Sequence, residues 1–349
     1  MKNAYIKSVA LDVTYKCNFR CLHCFNSSGE QRICKPEISD EKILEIALQI
    51  AKLDVDTMCF CGGETTLRLD AICEATTEMR KINSRMDINM VSNGYLITAE
   101  VAHKLKEAGL SFIQISLDGA TKESYEWLRN MNGAWKHAIN AIECLVREGF
   151  QVGVAFTPTK KNVHEVEDAI ELCEKLGVSS FRVQPIMELG RAKGIKDLYL
   201  DKKEYFKLSN RLQSLMNIYR DEISIEWGDP VLHIVSGRTG KVKLNFFNIT
   251  AYGDIGVSPY LPVSFGNVNN HSIDEYIENG LLDVWKDYEF LSVLTQGITS
   301  ANELDVSKGK KNIPSIFTGR DFVIDIIDNR NLKELDLEFI KLIKEGESN

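Results

Sequence analysis

The sequence predicts an α/β protein in which six βα units form a parallel sheet or partial barrel, with a smaller α+β region after it. Three observations carry this prediction. Short β-branched runs alternate with longer amphipathic stretches about six times. Gly109, Gly149 and Gly177 each stand where a helical pattern stops, as a terminating glycine does. After about residue 200 the alternation gives way to a different rhythm.

The first strand is "YIKSVALDV" (5–13). The stretch 40–53 then opens with Asp40 as a capping residue and sets Ile43, Ile46, Ala47 and Ile50 on one helical face. Further strands are expected at 56–61, 86–91, 111–117, 151–157 and 179–186, separated by helical patterns at 69–84, 98–108, 134–149 and 163–176. A long helix follows over 201–220. Beyond it come a glycine-punctuated, β-like stretch (242–268), helices near 272–288, a loop over 304–320 and a terminal helix, "LKELDLEFIKLIKEG". The expected division is a barrel over 1–200, a linking helix region over 201–228 and a cysteine-free C-terminal domain over 229–349. There is no tandem repeat or low-complexity tract.

Composition narrows the function. A chain of 349 residues is long enough for two domains, or for one barrel-like domain with an appendage. A formal net charge of −8 argues against a nucleic-acid partner. No apolar run has the length of a membrane span, and the first thirteen residues lack the apolar segment of a signal peptide, so a cytoplasmic location without a membrane partner is expected. Seven of the nine cysteines precede residue 75 and none follows Cys173. In a reducing compartment such clustering favours metal or redox chemistry over disulfides.

"DVTYKCNFRCLHCFN" (12–26) crowds Cys17, Cys21 and Cys24 into eight positions. A zinc knuckle, a disulfide-prone loop and an iron–sulfur site all use such spacing. Structural zinc wants four ligands, and the fourth candidate, His23, is adjacent to Cys24, where both side chains rarely reach one small ion. An iron–sulfur cubane accepts three thiolates and leaves one iron open. The surroundings favour the cubane. The cysteines follow strand 1, Gly62-Gly63-Glu64 follows strand 2, Ser92-Asn93-Gly94 strand 3 and Asp118-Gly119 strand 4, while residues 157–162 leave strand 5 and Gln184-Pro185 closes strand 6. In parallel α/β architectures these carboxyl ends share one ligand-binding rim.

Cys17-x3-Cys21-x2-Cys24, together with "GGE" (62–64), "SNG" (92–94) and "SLDG" (116–119), resembles the radical S-adenosylmethionine (SAM) superfamily over roughly residues 7–200. The resemblance implies a partial (β/α)6 radical SAM barrel and one [4Fe–4S] cluster held by Cys17, Cys21 and Cys24, with SAM chelating the open iron. Reductive cleavage of SAM would give a radical that takes a hydrogen atom from the substrate. It further implies that Glu64 accepts from the methionyl amino group, while Gly62 and Gly63 let the backbone approach SAM closely. Asn93 would lie near the ribose, with Ser92 and Gly94 in the same cofactor-binding turn. Ser116 and Arg129 would take the methionyl carboxylate, Asp118 belongs to the same motif, and Gln184 would face the adenosine. The family's proline after "GGE" is replaced here by Thr65-Thr66, a change of turn shape rather than of chemistry.

Cys59 and Cys61 flank Phe60 and share one face of strand 2, so Cys61 is a candidate hydrogen donor beside a packing reading. Cys73, Cys144 and Cys173 lie in helical patterns as packing residues, and Cys34 has no assigned role. "PIMELGRAK" (185–193) and 252–285 resemble the framework of SPASM-type radical SAM enzymes. Tyr260 or its neighbours stand where auxiliary-cluster cysteines are expected, which implies a single cluster and a C-terminal α+β SPASM-like cap. That subgroup implies a ribosomally made peptide as substrate, although strand 1 begins too near the N-terminus for a leader-binding domain ahead of it. Sugars, aminoglycoside-like compounds and tetrapyrrole precursors are the alternatives, and the reaction outcome stays open. A flavodoxin- or ferredoxin-like reductant is the expected electron partner. The rivals from other classes are a non-catalytic iron–sulfur electron carrier and a zinc-stabilised interaction protein.

Overall fold

A computed structural model describes residues 5–30, 35–53, 55–240, 244–310, 312–316, 321–329 and 331–345. Cys34 lies outside them. The six expected strands are β1 (Ile6–Asp12), β2 (Val55–Cys61), β3 (Asp87–Ser92), β4 (Phe112–Ser116), β5 (Gln151–Phe156) and β6 (Ser180–Val183). They pair in parallel, each with the next. The helices between them are α1 (Asp40–Lys52), α2 (Leu69–Ile82), α3 (Ala99–Ala108), α4 (Lys122–Arg129), α5 (Ala134–Arg147) and α6 (Val166–Lys175).

Strand alternation explains how the barrel divides its faces. Val9 and Leu11, Met58 and Phe60, Ile113 and Ile115, and Phe181 and Val183 are fully buried and join the helices' apolar stripes in one core. Their neighbours Ala10 and Asp12, Cys59 and Cys61, Gln114 and Ser116, and Arg182 and Gln184 point the other way and line an internal cavity. Gly109, Gly149 and Gly177 all adopt positive φ at helix ends, as expected. The cap of α1 is Ser39, whose hydroxyl accepts from the Lys42 N–H, so Asp40 is the first helical residue rather than the cap. Cys73, Cys144 and Cys173 are buried on α2, α5 and α6, as packing residues are.

Two further strands extend the same sheet. After α7 (Lys202–Ile218), β7 (Ser224–Trp227) pairs in parallel with β6. After α8 (Leu232–Arg238), β8 (Phe246–Ile249) pairs in parallel with β1, and β9 (Ile255–Gly256) runs antiparallel to β8. The expected linking region thus supplies β7 and the expected C-terminal domain supplies β8, and both strands add to the barrel sheet. Among the described residues the sheet has nine strands, ordered β7-β6-β5-β4-β3-β2-β1-β8-β9. No helix of the described residues is long and apolar enough to cross a membrane.

Candidate active site

The chain leaving β1 runs straight into the cysteine loop, and the loop after β2 holds it in place. The Gly63 N–H donates to Thr14 O at 2.7 Å and the Glu64 N–H to Lys16 O at 2.9 Å. Gly62, at φ +138°, lies so close that a Cβ there would stand 2.3 Å from Thr14 O. A side chain at 62 is therefore excluded both by the backbone conformation and by the contact.

Glu64 is 1% exposed. Its carboxylate accepts from the Thr66 N–H (3.0 Å) and hydroxyl (2.6 Å), the Ser92 hydroxyl (2.7 Å) and the Asn93 N–H (2.8 Å). Ser92 also accepts from the Gly94 N–H, and the Asn93 amide donates to Asn18 Oδ1 in the cysteine loop at 2.8 Å. The "GGE" and "SNG" turns are thus one hydrogen-bonded unit. The expectation that Glu64 accepts from a bound amino group meets a carboxylate already taken by four protein donors behind the cavity wall. Gly62, Gly63, Ser92 and Asn93 remain on that wall.

A second buried carboxylate braces the opposite side. Asp118 is fully buried, accepts from the Thr157 N–H at 2.8 Å and stands 2.6 Å from Arg129 Nη2. Arg129 Nη1 points at Cys21 Sγ, 3.8 Å away. Burial works against the Arg129 charge, but Asp118 and Cys21 outweigh it and raise its pKa, so it stays cationic. The guanidinium expected to grip a carboxylate is therefore already engaged by Asp118, while still lining the cavity. Its position on α4 comes from a short helix that the sequence reading passed over, stopped by Asn130 in the left-handed region.

His23 is turned toward Asp118, Nε2 to Oδ2 at 3.5 Å. Burial, partly opposed by Asp118, lowers its pKa to about 4, so the imidazole is neutral near pH 7. The fourth ligand that a zinc site would need thus has its Nε2 turned to a carboxylate. Arg191, quoted in the sequence only as part of "PIMELGRAK", ties the loop from above. Its N–H donates to Cys24 O (3.0 Å) and its guanidinium to Cys21 O (2.8 Å), Ser28 O (2.9 Å) and Glu30 (2.9 Å).

Cys17, Cys21 and Cys24 line one cavity of about 550 Å³ together with Gly62, Gly63, Ser92, Asn93, Ser116, Arg129 and Gln184. Glu64, Gly94 and Asp118 stand behind its wall. The three cysteines are free thiols. Burial raises the Cys17 thiol and pushes Cys21 up to about 12. Buried thiols give up their protons when a metal centre replaces them, so three soft donors around one space fit a thiolate-bound cluster with one position left to another ligand. Cys59 and Cys61 also line the cavity, with their sulfurs 3.5 Å apart.

Several wall residues were missed in the sequence. Asp12, at the end of β1, accepts from the Tyr15 hydroxyl at 2.8 Å and is raised to about 6 by burial, against that hydrogen bond. Asn89, Gln114 and Arg182 sit on interior strand faces, where period-two alternation would have found them. Asn248 and Tyr260 arrive from the C-terminal region. The Tyr260 ring packs edge-on against Phe25, centroids 5.3 Å apart, and its hydroxyl accepts from the Gln184 amide at 3.3 Å.

Residues 11–173 match the profile of the Radical SAM superfamily. Over these residues the chain carries a radical SAM domain. The chain is 34% identical over 167 residues, 48% of its own length and 41% of the relative's, to the Fe-coproporphyrin III synthase of Methanosarcina barkeri (strain Fusaro / DSM 804). It is 29% identical over 225 residues, 64% of its length and 50% of the relative's, to the sporulation killing factor maturation protein SkfB of Bacillus subtilis (strain 168). The chain spans half or less of both curated relatives. Among solved structures its fold is similar to that of Streptococcus suis SuiB bound to precursor peptide SuiA, with a TM-score of 0.61 at 17% identity, covering 87% of this chain and 69% of that one.

Proposed function

We propose that the protein is a radical SAM enzyme that reductively cleaves SAM at a single [4Fe–4S] cluster and abstracts a hydrogen atom from a ribosomally made peptide. The observation that carries this reading is the convergence of Cys17, Cys21 and Cys24 on a cavity also walled by Gly62, Gly63, Ser92, Asn93, Ser116 and Gln184. When bound, the cluster supplies the electron that breaks the sulfonium bond. The protein's own residues do the rest. Arg191, Asn93 and the 62–64 loop hold the three sulfurs, and Arg129 sets a positive charge beside Cys21. Glu64 and Asp118 act as braces rather than as ligand contacts, while Gln184 and Tyr260 form part of the cavity wall, Tyr260 against Phe25 of the cysteine loop. Cys61, on the cavity wall, is the candidate to return a hydrogen atom. The absence of cysteine beyond 173 leaves no thiolates for an auxiliary cluster.

The peptide reading is supported by the SkfB relationship and the fold shared with peptide-bound SuiB. The similarity to a synthase of Fe-coproporphyrin III favours a second reading, a tetrapyrrole precursor. The anaerobically reconstituted, dithionite-reduced protein is expected to convert SAM to 5′-deoxyadenosine, and Cys24→Ala to abolish this. A wild-type yield no higher than that of the variant would favour a non-catalytic electron carrier. Stimulation by a short precursor peptide, against stimulation by an iron porphyrin, separates the two substrate readings.

A further inference from the structure

Deeper in the barrel, away from the cysteine loop, the cavity wall carries a cation with no anion. Arg182 lies on the interior face of β6, one alternation below Gln184. Among the described residues it forms no ion pair, and its buried Nε meets no acceptor. Its strand neighbour on β7 is Glu226, in direct register, yet no salt bridge joins the two. The guanidinium instead packs on Gly228, where a Cβ would stand 2.5 Å from Nε, so the absence of a side chain there is what lets Arg182 lie along the wall. The one acidic group on the wall of this cavity, Asp12, is held by the Tyr15 hydroxyl.

Two amides of the same interior share the deficit. Asn248 is 4% exposed and its Oδ1 is buried without a donor, and Asn89 Oδ1 is in the same state. Removing polar groups from water without partners is unfavourable, and more so for a charge. Three such groups around one cavity mark a place where a ligand completes the bonding. The guanidinium asks for an anionic, planar pair of oxygens, and the two amide oxygens ask for N–H or O–H donors.

We propose that Arg182, on the cavity wall that it shares with Asn248 and Asn89, binds a carboxylate of the substrate inside the barrel. The proposal rests on the enzymatic reading above and deepens it by naming the chemical class of the substrate: a carboxylic acid with a hydrogen-bond donor near it. An acidic peptide residue and a carboxylated small molecule both present this chemistry.

The test uses the full-length, cluster-loaded protein and arginine modification by phenylglyoxal, read at Arg182 by peptide mass spectrometry. The probes are N-acetylglutamate α-amide and glutarate, with their neutral counterparts N-acetylglutamine α-amide and glutaramide. Arg182 is expected to be modified. Millimolar concentrations of either acid should slow the modification at least threefold, and the neutral compounds should not. Arg182→Gln should weaken binding of the better acid at least tenfold, with the SAM Kd moving less than threefold. Stronger protection by the N-acetylated amino acid assigns the carboxylate to a peptide, and stronger protection by glutarate assigns it to a small acid.

Three results would overturn the proposal. One is equal protection by acids and neutral counterparts. Another is an Arg182 that reacts only after Glu226→Gln, which would make Glu226 its partner. The third is an Arg182→Gln variant whose principal loss is of SAM affinity. Failure of the enzymatic reading looks different, since wild-type protein would then release no 5′-deoxyadenosine at all.

Discussion

Arg129 Nη2 lies 2.6 Å from Asp118 Oδ2 in a buried pair, and the other terminal nitrogen of the same guanidinium faces Cys21 Sγ. This pair joins the end of β4 to α4 and presents a fixed positive charge to one of the three thiols. Breaking a buried pair from one side strands the other charge, which costs about 3–5 kcal/mol. Asp118→Asn and Arg129→Gln are each expected to lose stability on that scale in urea denaturation. The double variant should lose clearly less than the sum, because neither charge is then left alone. Additive losses would show that the two charges do not depend on one another.

Glu64 gives a prediction of another kind. With four donors on its carboxylate, Glu64→Gln keeps the shape but turns an acceptor into a donor beside another donor, at a cost of about 1.5–3 kcal/mol. A lowered thermal midpoint is the expected first effect, in apo and cluster-loaded protein alike. A variant with wild-type stability and weakened SAM binding would instead make Glu64 a ligand contact.

The metal content follows from the cysteines. Anaerobic preparations should carry about four irons and four sulfides per chain and no zinc, because Cys17, Cys21 and Cys24 come together on the cavity from one loop. Cys17→Ala, Cys21→Ala and Cys24→Ala should each lose most of the iron and the brown absorbance, whereas Cys59→Ala and Cys61→Ala should keep both. About eight irons per chain would contradict the single-cluster reading.

His233 predicts a pH dependence of stability. The ring is hydrogen-bonded to the Ser258 hydroxyl at 2.8 Å, and burial, against the pull of Asp229, lowers its pKa from 6.5 to about 4. The unfolded chain therefore binds a proton between these values while the folded chain does not. Stability should be fully present above pH 6.5 and fall as the pH drops toward 4, by about 1.4 kcal/mol per pH unit from this group. The difference in denaturation midpoint between wild type and His233→Gln should shrink as the pH falls through that window. A constant difference would refute the assignment.

Much of this was legible in the sequence because it is local. The six βα units and the strand-end positions of the cysteines, "GGE", "SNG" and "SLDG" needed only periodicity and spacing, and every strand lies within a few residues of its expected span. The protein partners of the two buried carboxylates were not legible, for a physical reason. Spacing places Glu64 and Asp118 at the rim, but which groups a carboxylate accepts from depends also on Ser92, Asn93 and Thr157, which lie 28 to 39 positions away in the chain. Arg182 and Gln114 were readable from alternation alone. Asn248 was not, since its place on the wall depends on β8 finding β1 across more than two hundred residues.

That pairing has a consequence for any attempt to shorten the protein. The strand that feeds the cysteine loop is an inner member of the sheet, clasped by β2 on one flank and β8 on the other. A protein cut after residue 200 would bare a row of unpaired amides and carbonyls along β1, directly beneath the thiols, and such an edge recruits other chains. Self-association, rather than a smaller working catalyst, is the fate expected of the isolated N-terminal half.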